Sequence, residues 1–510
     1  MMQRPLVMVL GDQLVWPHPL IDDGCVVVMA EVLGEVTRYP NHVQRVALFL
    51  SAMRHYRARL EEHEVDVDYR ELCSDGPRSL ADALRQAIVT HKPSCVRLIE
   101  PGRWDLKLEL EAVCSDQATA LEWVEHPGFF LKRADFDEWA TGRKRFLLED
   151  FYRNMRKRFD VLMRDGKPVG GAWNFDKENR RSFGKSGPQE LRQPARFPPD
   201  QTTQEVFSDL RRHGLELAGD DEAFDWPVTA EHAREALDDF IAYRLCSFGD
   251  YQDAVWEGET WLFHSRLSAA INLGLLDPRD VVSAAVDAYD AGQAPINAVE
   301  GFVRQILGWR EYVRGLYWAG MPEMLDANGL EADEPLPPLY WTGDTEMRCL
   351  ADVVRQLLAT GYAHHIQRLM VAGLFAQLLG AKPREVHDWF MAYYVDSVEW
   401  VTLPNVVGMS QYADQGKLGS KPYIASGKYI DRQTNYCANC RFDPAKSVGE
   451  DACPFTTLYW DFLARHESRF ASHPRMALQV KNLARKSADD VRAIRVKATL
   501  LREQARTGSL

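Results

Sequence analysis

The sequence predicts two kinds of fold in one chain: an N-terminal doubly wound α/β domain with a parallel sheet, and a large all-α C-terminal domain. Short β-branched runs alternate with amphipathic segments over residues 1–130. From residue 226 almost to residue 510, helical periodicity continues without strand-like runs. With 510 residues and 46% hydrophobic composition, the chain can give both regions substantial cores.

In the first domain, four buried strands alternate with helices along the chain. We predict strands in 5–13, 24–32, 64–72 and 94–102, and helices in 41–63, 77–91 and 104–116. Ligands of such sheets bind beyond the carboxyl ends of the strands, so Gly11–Gln13 and Glu31–Glu35 are candidate binding loops. The sequence has no GxGxxG motif, and a dinucleotide site there has little support.

Residues 131–225 join the two domains and are rich in Gly, Pro and charge, so we expect a long interdomain connector running over the surface. Between Lys132 and Lys185, fifteen Lys and Arg face nine Asp and Glu. The formal net charge of −13 argues against a general nucleic-acid binder, although it is compatible with a local basic surface. A solvated helix face is the ordinary explanation of such a basic stretch.

No segment has the length and apolar character of a signal peptide or a membrane span. Nine cysteines scattered over 510 residues do not form a secreted disulfide framework, and a reducing compartment suits both free thiols and thiolate–metal sites. We therefore expect a cytoplasmic, monomeric protein without a membrane partner.

Three cysteines near the C-terminus, Cys437, Cys440 and Cys453, have the spacing of an incomplete metal site. Cys349 is the economical fourth ligand, since the other cysteines all lie at or before Cys246. It stands at the start of a predicted helix that continues into "AHHIQRLM". Four thiolates fit either zinc or a [4Fe–4S] cluster, and the spacing does not decide between them.

Several stretches of the helical half resemble one family. "FHSRLSAAINLG" resembles the phosphate-binding Ser-x-Leu-Ser segment of photolyases and cryptochromes, and "GWREYVR" resembles their Trp-Arg-Glu-aromatic helix. "YAHHIQRLMVAGLF" resembles the His-rich helix of (6-4) photolyases, and "DSVEWVTLPNVVGMSQYAD" stands at the place of their Asp/Asn flavin segment. With the four cysteines, the chain is similar over essentially its whole length to the iron–sulfur bacterial cryptochromes and photolyases.

This resemblance implies three cofactors and a light-driven reaction. FAD is expected in the helical domain, a [4Fe–4S] cluster on the four cysteines, and a 6,7-dimethyl-8-ribityllumazine antenna in the α/β domain. Candidate antenna-binding residues are Asp12, Glu35, Arg45 and Phe49. Candidate FAD-binding residues are Gly249, Gln252, Ser265, Leu267, Ser268, Gln305, Arg310, His365, Arg368, Asp396 and Asn405.

Repair of a (6-4) lesion needs a proton transfer beside the damaged bases, and histidine titrates near neutral pH. The resemblance makes His365 the proton donor, with His364 assisting it or holding the lesion. On a helix, two adjacent side chains point about 100° apart. Electron hopping to the flavin implies Trp389 and Trp341, whereas Phe390 stands where the family often has an oxidisable tyrosine.

Two functions follow from the resemblance, and a third does not depend on it. The first is light-driven repair of (6-4) photoproducts in UV-damaged DNA, with Trp173, Lys177, Arg180 and Arg181 as candidate DNA contacts. The second is a cryptochrome-type blue-light photoreceptor that regulates gene expression through partners the sequence does not identify. The third is a flavin-free iron–sulfur or zinc protein that binds nucleic acid.

Overall fold

A computed structural model describes residues 4–510 and contains a parallel five-stranded sheet in its first 124 residues. The sheet order is β3-β2-β1-β4-β5, and each neighbouring pair is parallel; Leu6 pairs with Val26 on one side and with Val96 on the other. The strands are β1 Leu6–Met8, β2 Val26–Ala30, β3 Val67–Arg70, β4 Cys95–Ile99 and β5 Ala120–Val124. The four expected strands are confirmed. The fifth was missed because this edge strand has no buried apolar run.

Helices cover both faces of the sheet, as a doubly wound fold requires. One face packs against α2 through Val7 and Val27, and the other packs against α3 and α4 through Met8 and Val28. The helices of this region are α1 Leu33–Val36, α2 Val43–Glu62, α3 Leu80–His91 and α4 Trp104–Asp116.

The prediction that residues 131–225 form a surface connector is wrong for a large part of that range. The segment contains α5 Arg133–Ala140, α6 Leu148–Phe159, the short β6 Met163–Arg164 and β7 Lys167–Pro168, and α7 Gln201–Arg212. Phe151 and Tyr152 of α6 are fully buried against the helical domain. The many charges of α6 masked its apolar stripe, which the strong amphipathicity of the helix places on one side.

The remaining chain is helical, as expected. Its helices are α8 Ala230–Tyr243, α9 Leu245–Tyr251, α10 Ser268–Leu273, α11 Pro278–Asp290, α12 Ile296–Val303, α13 Glu311–Gly320, α14 Leu339–Thr342, α15 Arg348–Thr360, α16 Leu374–Leu379, α17 Pro383–Tyr393, α18 Glu399–Pro404, α19 Gly427–Gln433, α20 Pro454–Arg465, α21 Glu467–Phe470, α22 Ala477–Leu483 and α23 Ala488–Thr507. Three π-helical segments, Arg304–Arg310, Gln367–Gly373 and Asn405–Ser410, adjoin α12, α16 and α18. Such segments often mark functional sites.

Cys349 and the adjacent histidines do not share a helix, contrary to the sequence expectation. Helix α15 ends at Thr360, and Gly361 follows it with a φ of 64°. A Cβ on Gly361 would lie 2.5 Å from Val395 Cγ1, so the turn requires glycine. His364 lies in the extended link, and helical backbone resumes at His365.

One hydrophobic core cluster joins the two domains. It includes Val7 and Val27 of the sheet together with Phe240 and Leu307 of the helical region. The two folds therefore share apolar burial instead of meeting through a polar contact. Over residues 4–510, no helix combines the length and apolar character needed to cross a membrane.

Candidate cofactor and active site

Three histidines meet at one point of the helical domain. The rings of His264 and His364 stack with centroids 4.2 Å apart and planes at 14°, and His365 lies 6.0 Å from His364. His364 is buried and His365 has a side chain that is 53% exposed. Burial lowers the pKa of His364 well below its usual value. The structure therefore brings a neutral buried imidazole beside an accessible one, and sequence reasoning missed His264.

His365 is held by a carboxylate. Its Nε2 lies 3.2 Å from Oδ1 of Asp253, which follows Gln252 in the chain. Gln252 is buried, and its carbonyl lies 3.1 Å from His264 Nε2. Sequence reasoning selected Gln252 but not Asp253, because a lone acid in an acidic segment gives no distinguishing signal.

A buried ion pair lies next to the histidines. Arg368 donates to both oxygens of Asp396 at 2.9 and 3.0 Å, and Ser268 Oγ donates to Asp396 Oδ2 at 2.6 Å. Arg368 also donates to the carbonyl oxygen of Ala363, beside His364. Its guanidinium lies 4.2 Å from the centroid of the Tyr394 ring. The sequence-selected trio Ser268, Arg368 and Asp396 thus forms one connected group.

Several buried polar atoms around this group have no hydrogen-bond partner within residues 4–510. They include both ring nitrogens of His364, the hydroxyl of Tyr394, and Nε and Nη1 of Arg244. Buried polar groups are normally paired, so these atoms are suited to a polar ligand. A flavin offers ring carbonyls, hydroxyls and phosphates to such donors and acceptors, and the residues present fit FAD. Tyr394 and Arg244 were not anticipated.

The other predicted FAD residues do not all join this group. Ser265 Oγ accepts from the backbone of Leu267, which is itself buried. Gly249 packs against α12, where a Cβ would lie 2.6 Å from Ala298 Cα. Gln305 is exposed and bonds within its own helix, as half-buried Asn405 does with Val401.

Arg310 lies at the domain interface. It donates to the carbonyl of Gly128 and stacks 4.0 Å from the centroid of Phe129 and 5.0 Å from that of Trp400. Burial lowers its pKa to about 10. Its contacts connect it with the N-terminal domain and not with Asp396.

Aromatic rings connect the two predicted electron-transfer tryptophans. Trp341 lies 5.4 Å from Tyr393, and Tyr393 stacks on Trp389 at 6.0 Å. Trp389 lies 5.7 Å from Tyr394, the ring that Arg368 covers. Phe390 packs against both Trp389 and Tyr394. Tyr393 and Tyr394 therefore complete a path from half-buried Trp341 to the ion pair that does not require oxidation of Phe390.

The four predicted metal-binding cysteines line one small cavity. Cys349 comes from α15, Cys437 and Cys440 from the 3₁₀ turn at Tyr436–Asn439 and its end, and Cys453 from the N-cap of α20. A Cβ on Gly427 would lie 2.7 Å from Cys453 Sγ, so this glycine keeps room beside the sulfur. Burial raises the pKa of Cys437 to about 12 and of Cys453 to about 11, and the neighbouring cysteines add repulsion. Such thiols need a metal's positive charge to ionise.

The predicted antenna residues come together beyond the carboxyl ends of β1 and β2. Burial raises the pKa of Asp12 to about 6, and Arg103, Glu35 and Arg45 act on the same carboxyl. Arg103 donates to Glu35 at 2.8 and 3.0 Å, and Arg45 stacks over Phe49 at 4.9 Å. Arg45 Nε is buried without a partner in the part of the chain that the structure describes. This polar set fits a heteroaromatic ligand with a hydroxylated chain.

A separate cavity of about 750 Å³ contains none of the predicted residues. Its walls include five carboxylates and two arginines: Glu231, Glu235, Asp238, Asp277 and Asp280, with Arg59 and Arg234. This excess of negative charge disfavours the pyrophosphate of FAD there.

Comparisons with known proteins agree with this arrangement. A family model described as "Deoxyribodipyrimidine photo-lyase-related protein" matches residues 7–226. The (6-4) photolyase of Agrobacterium fabrum is 43% identical over 501 residues, which cover 97% of this chain and 98% of that protein. A mitochondrial deoxyribodipyrimidine photo-lyase of Saccharomyces cerevisiae is 27% identical over 183 residues, 33% of this chain and 31% of that protein.

Two solved structures share the fold at low identity. A class III photolyase from Agrobacterium tumefaciens has a TM-score of 0.57 at 14% identity, over 99% of this chain and 98% of that chain. A Synechocystis cryptochrome has a TM-score of 0.58 at 12% identity, over 99% of both chains.

The parallel sheet followed by a helical domain with a buried Arg–Asp–Ser group defines the architecture of light-driven flavoproteins. The chain belongs to the photolyase–cryptochrome family. Within this family, its full-length similarity is to the (6-4) photolyase of Agrobacterium fabrum.

Proposed function

We propose that this protein is a (6-4) DNA photolyase that repairs (6-4) pyrimidine photoproducts under blue or near-UV light. The observation that carries the proposal is the contact between accessible His365, buried His364 and the Arg368–Asp396 pair. This arrangement puts a proton-transferring group at the mouth of a flavin site. The full-length relationship to a (6-4) photolyase supports the choice of lesion.

In this proposal, bound FAD supplies an electron to the lesion after photoexcitation. Arg368, Asp396, Ser268 and Tyr394 bind and orient the flavin. His365 donates a proton to the departing oxygen substituent, and Asp253 keeps the imidazole of His365 aimed toward the opening of the site. Buried His364 excludes water and contacts the lesion from the protein side.

We further propose that the four cysteines hold a [4Fe–4S] cluster and not a single zinc ion. Every set of three of these sulfurs contains a pair more than 4.8 Å apart, since the described group of ligands within that limit comprises three histidines. A tetrahedral zinc site has Zn–S distances of about 2.3 Å, which brings its sulfurs to roughly 3.8 Å from one another. The wider spacing fits a larger cluster. The lumazine antenna is assigned to Asp12, Glu35, Arg45 and Phe49.

Exposed basic side chains near the histidines support DNA as the substrate. Arg180 and Arg181 have side chains that are 61% and 66% exposed. Arg180 lies close enough to Asp253 and Tyr429 for each to raise its pKa. Phosphate contacts of this local kind do not require a basic protein overall. Trp173 fits this role less well, because Arg153, Arg156 and Lys157 cover its ring.

The second candidate is a cryptochrome-type photoreceptor regulating gene expression. The favouring observation is Phe390, which packs between Trp389 and Tyr394 and changes the local electron path. A signalling protein would use the same flavin without turnover of lesions.

Incubation with a duplex carrying one defined (6-4) lesion tests the proposal. The protein is fully reduced, and loss of the lesion is followed by chromatography under blue light and in the dark. We expect light-dependent restoration of the two pyrimidines. A flavin-loaded, reduced protein that leaves the lesion intact would refute the photolyase assignment and favour the photoreceptor.

A further inference from the structure

His264 has more contacts with the proposed catalytic histidines than a packing residue requires. It is only 5% exposed, its ring stacks on His364, and its centroid lies 5.6 Å from that of His365. Its Nε2 faces the carbonyl oxygen of Gln252 at 3.1 Å, and its Nδ1 faces that of Trp261 at 3.2 Å. Both ring nitrogens and one ring face are therefore used.

The backbone around His264 is strained on both sides. Leu262 has a φ of 44° and Arg266 a φ of 61°, in the left-handed region that these side chains rarely adopt. The segment is held there by the buried Arg266–Asp225 ion pair and by stacking of Arg266 on Trp261 at 3.9 Å. Strain that surrounding contacts maintain is typical of functional sites.

A metal ion does not explain the histidine cluster well. The ligand atoms of His264, His364 and His365 lie within 4.8 Å of one another. However, the lone pairs of an imidazole lie in its ring plane, and the nearly parallel planes of His264 and His364 do not converge on one ion. Both nitrogens of His264 also face carbonyl oxygens.

We propose that His264 is a positioning residue for the histidine pair. Its ring supports His364 from behind, and its Nε2–H holds the Gln252 carbonyl. The next residue is Asp253, whose carboxylate accepts from His365. One side chain thus fixes the ring plane of His364 and, through the 252–253 backbone, the direction of His365. This inference rests on the proposed function of His365.

Three substitutions of His264 separate its contacts. His264→Phe keeps a flat ring against His364 and removes both hydrogen bonds. His264→Gln places an amide N–H near the position of Nε2, whereas His264→Asn places one near Nδ1. Repair is measured with fully reduced protein over a range of (6-4) duplex concentrations, together with bound FAD and thermal stability.

We expect His264→Phe to lower kcat roughly 10- to 100-fold, the usual result of misplacing a reacting group by about 1 Å. KM should stay within about twofold, because the loss concerns the transition state. His264→Gln should recover most of the rate and His264→Asn should not. Wild-type rates in His264→Phe, rescue by Asn instead of Gln, or losses that parallel FAD content would each overturn the assignment.

A second readout does not depend on repair. With ¹⁵N-labelled histidine, the ring signals of His364 and His365 should both shift in His264→Phe and return toward wild type in His264→Gln. Unchanged signals would overturn the positioning role even if repair occurs. If wild-type protein repairs no lesion but the signals shift as expected, the proposed function fails and the positioning role stands.

Discussion

At the scale of single residues, His365 combines exposure with a fixed hydrogen bond, as a proton donor to a bound lesion must. Its side chain is 53% exposed and its Nε2 lies 3.2 Å from Asp253. We expect His365→Ala to lower repair roughly 10²- to 10⁴-fold, the usual contribution of general acid–base catalysis. FAD absorbance should be unchanged, because Arg368 and Asp396 remain paired.

His55→Ala is a matched control for this experiment. His55 also pairs with a carboxylate, at 2.7 Å from Asp200, but it lies on α2 of the N-terminal domain. Its substitution should leave repair unchanged. Equal repair by His365→Ala and wild-type protein would refute the assigned role of His365.

Asp12 gives a prediction about pH. Burial raises its pKa from 3.8 to about 6, so the folded state binds a proton that the unfolded state releases between these values. Ionised Asp12 therefore destabilises the fold above pH 6, and this cost disappears below pH 4. The upper bound is roughly 3 kcal/mol. We expect Asp12→Asn to raise the free energy of unfolding of lumazine-free protein at pH 7.5, and by less at pH 5.

Urea unfolding at both pH values checks this prediction. Asp22→Asn is the control, because Asp22 forms an exposed pair with Arg97 at 3.2 Å and such pairs contribute little. A gain from Asp12→Asn that is as large at pH 5 as at pH 7.5 would contradict the titration of this carboxyl. Lumazine binding, measured separately, should weaken.

At the scale of elements, the cysteine site joins α15, the 436–440 turn and the start of α20. We expect Cys349→Ser to lose iron and to lower the free energy of unfolding by more than about 3 kcal/mol, since metal loss is among the largest single-residue effects. Iron content, visible absorbance and thermal melting measure the result. Buried Cys114, in α4 of the N-terminal domain, provides the control Cys114→Ser. A Cys349→Ser protein with full stability would argue against a structural cluster.

The basic segment around Lys177–Lys185 is anchored by buried polar side chains. Asn179 donates to the carbonyl of Asn297 at 3.0 Å, and Asn297 donates to the side chain of Asn179 at 3.1 Å. A Cβ on Gly301 would lie 2.8 Å from Asn179 Nδ2, so glycine makes room for this pair. The segment therefore lies on α12 in a defined position.

We expect Asn179→Ala to weaken binding of lesion-containing duplex and to reduce its salt dependence, because Arg180 and Arg181 lose their fixed position. The expected loss is about 1–3 kcal/mol, the cost of an unpaired buried polar group. Fluorescence anisotropy at several salt concentrations measures it. Asn174→Ala removes a contact with partly exposed Glu149 and should have little effect. Unchanged salt dependence in Asn179→Ala would contradict the anchor.

Sequence periodicity predicted the interior of the fold better than its edges. The first four strands carry continuous apolar runs because both faces are buried, whereas β5 at the edge alternates without one. Helix α6 was missed because charged residues dominate its composition, and only its spatial stripe shows that Phe151 is buried. Composition averages over the faces of a helix, and burial does not.

Motifs likewise predicted residues with distinctive neighbours. Arg368, Asp396 and the four cysteines were selected from their patterns and lie together. His264, Tyr394 and Asp253 carry no motif of their own; their importance comes from contacts over long sequence separations. Arg310 had the expected motif but lies at the domain interface.

At the scale of the whole molecule, the shared core predicts cooperative unfolding. Helix α2 contributes Val46, Ala47 and Leu50 to the same cluster as Leu307 of the helical domain. We expect far-UV circular dichroism and tryptophan fluorescence to report one coincident urea transition. Two separated transitions would show that the domains unfold independently.

The break at Gly361 has a consequence for how such a protein can diversify. Helix α15 carries Cys349, but the histidines stand beyond a turn that only glycine fits. Substitutions that retune or abandon the cysteine site need not rotate the imidazoles, because the chain changes direction between them. Descendants of this protein could exchange one chemistry while inheriting the other.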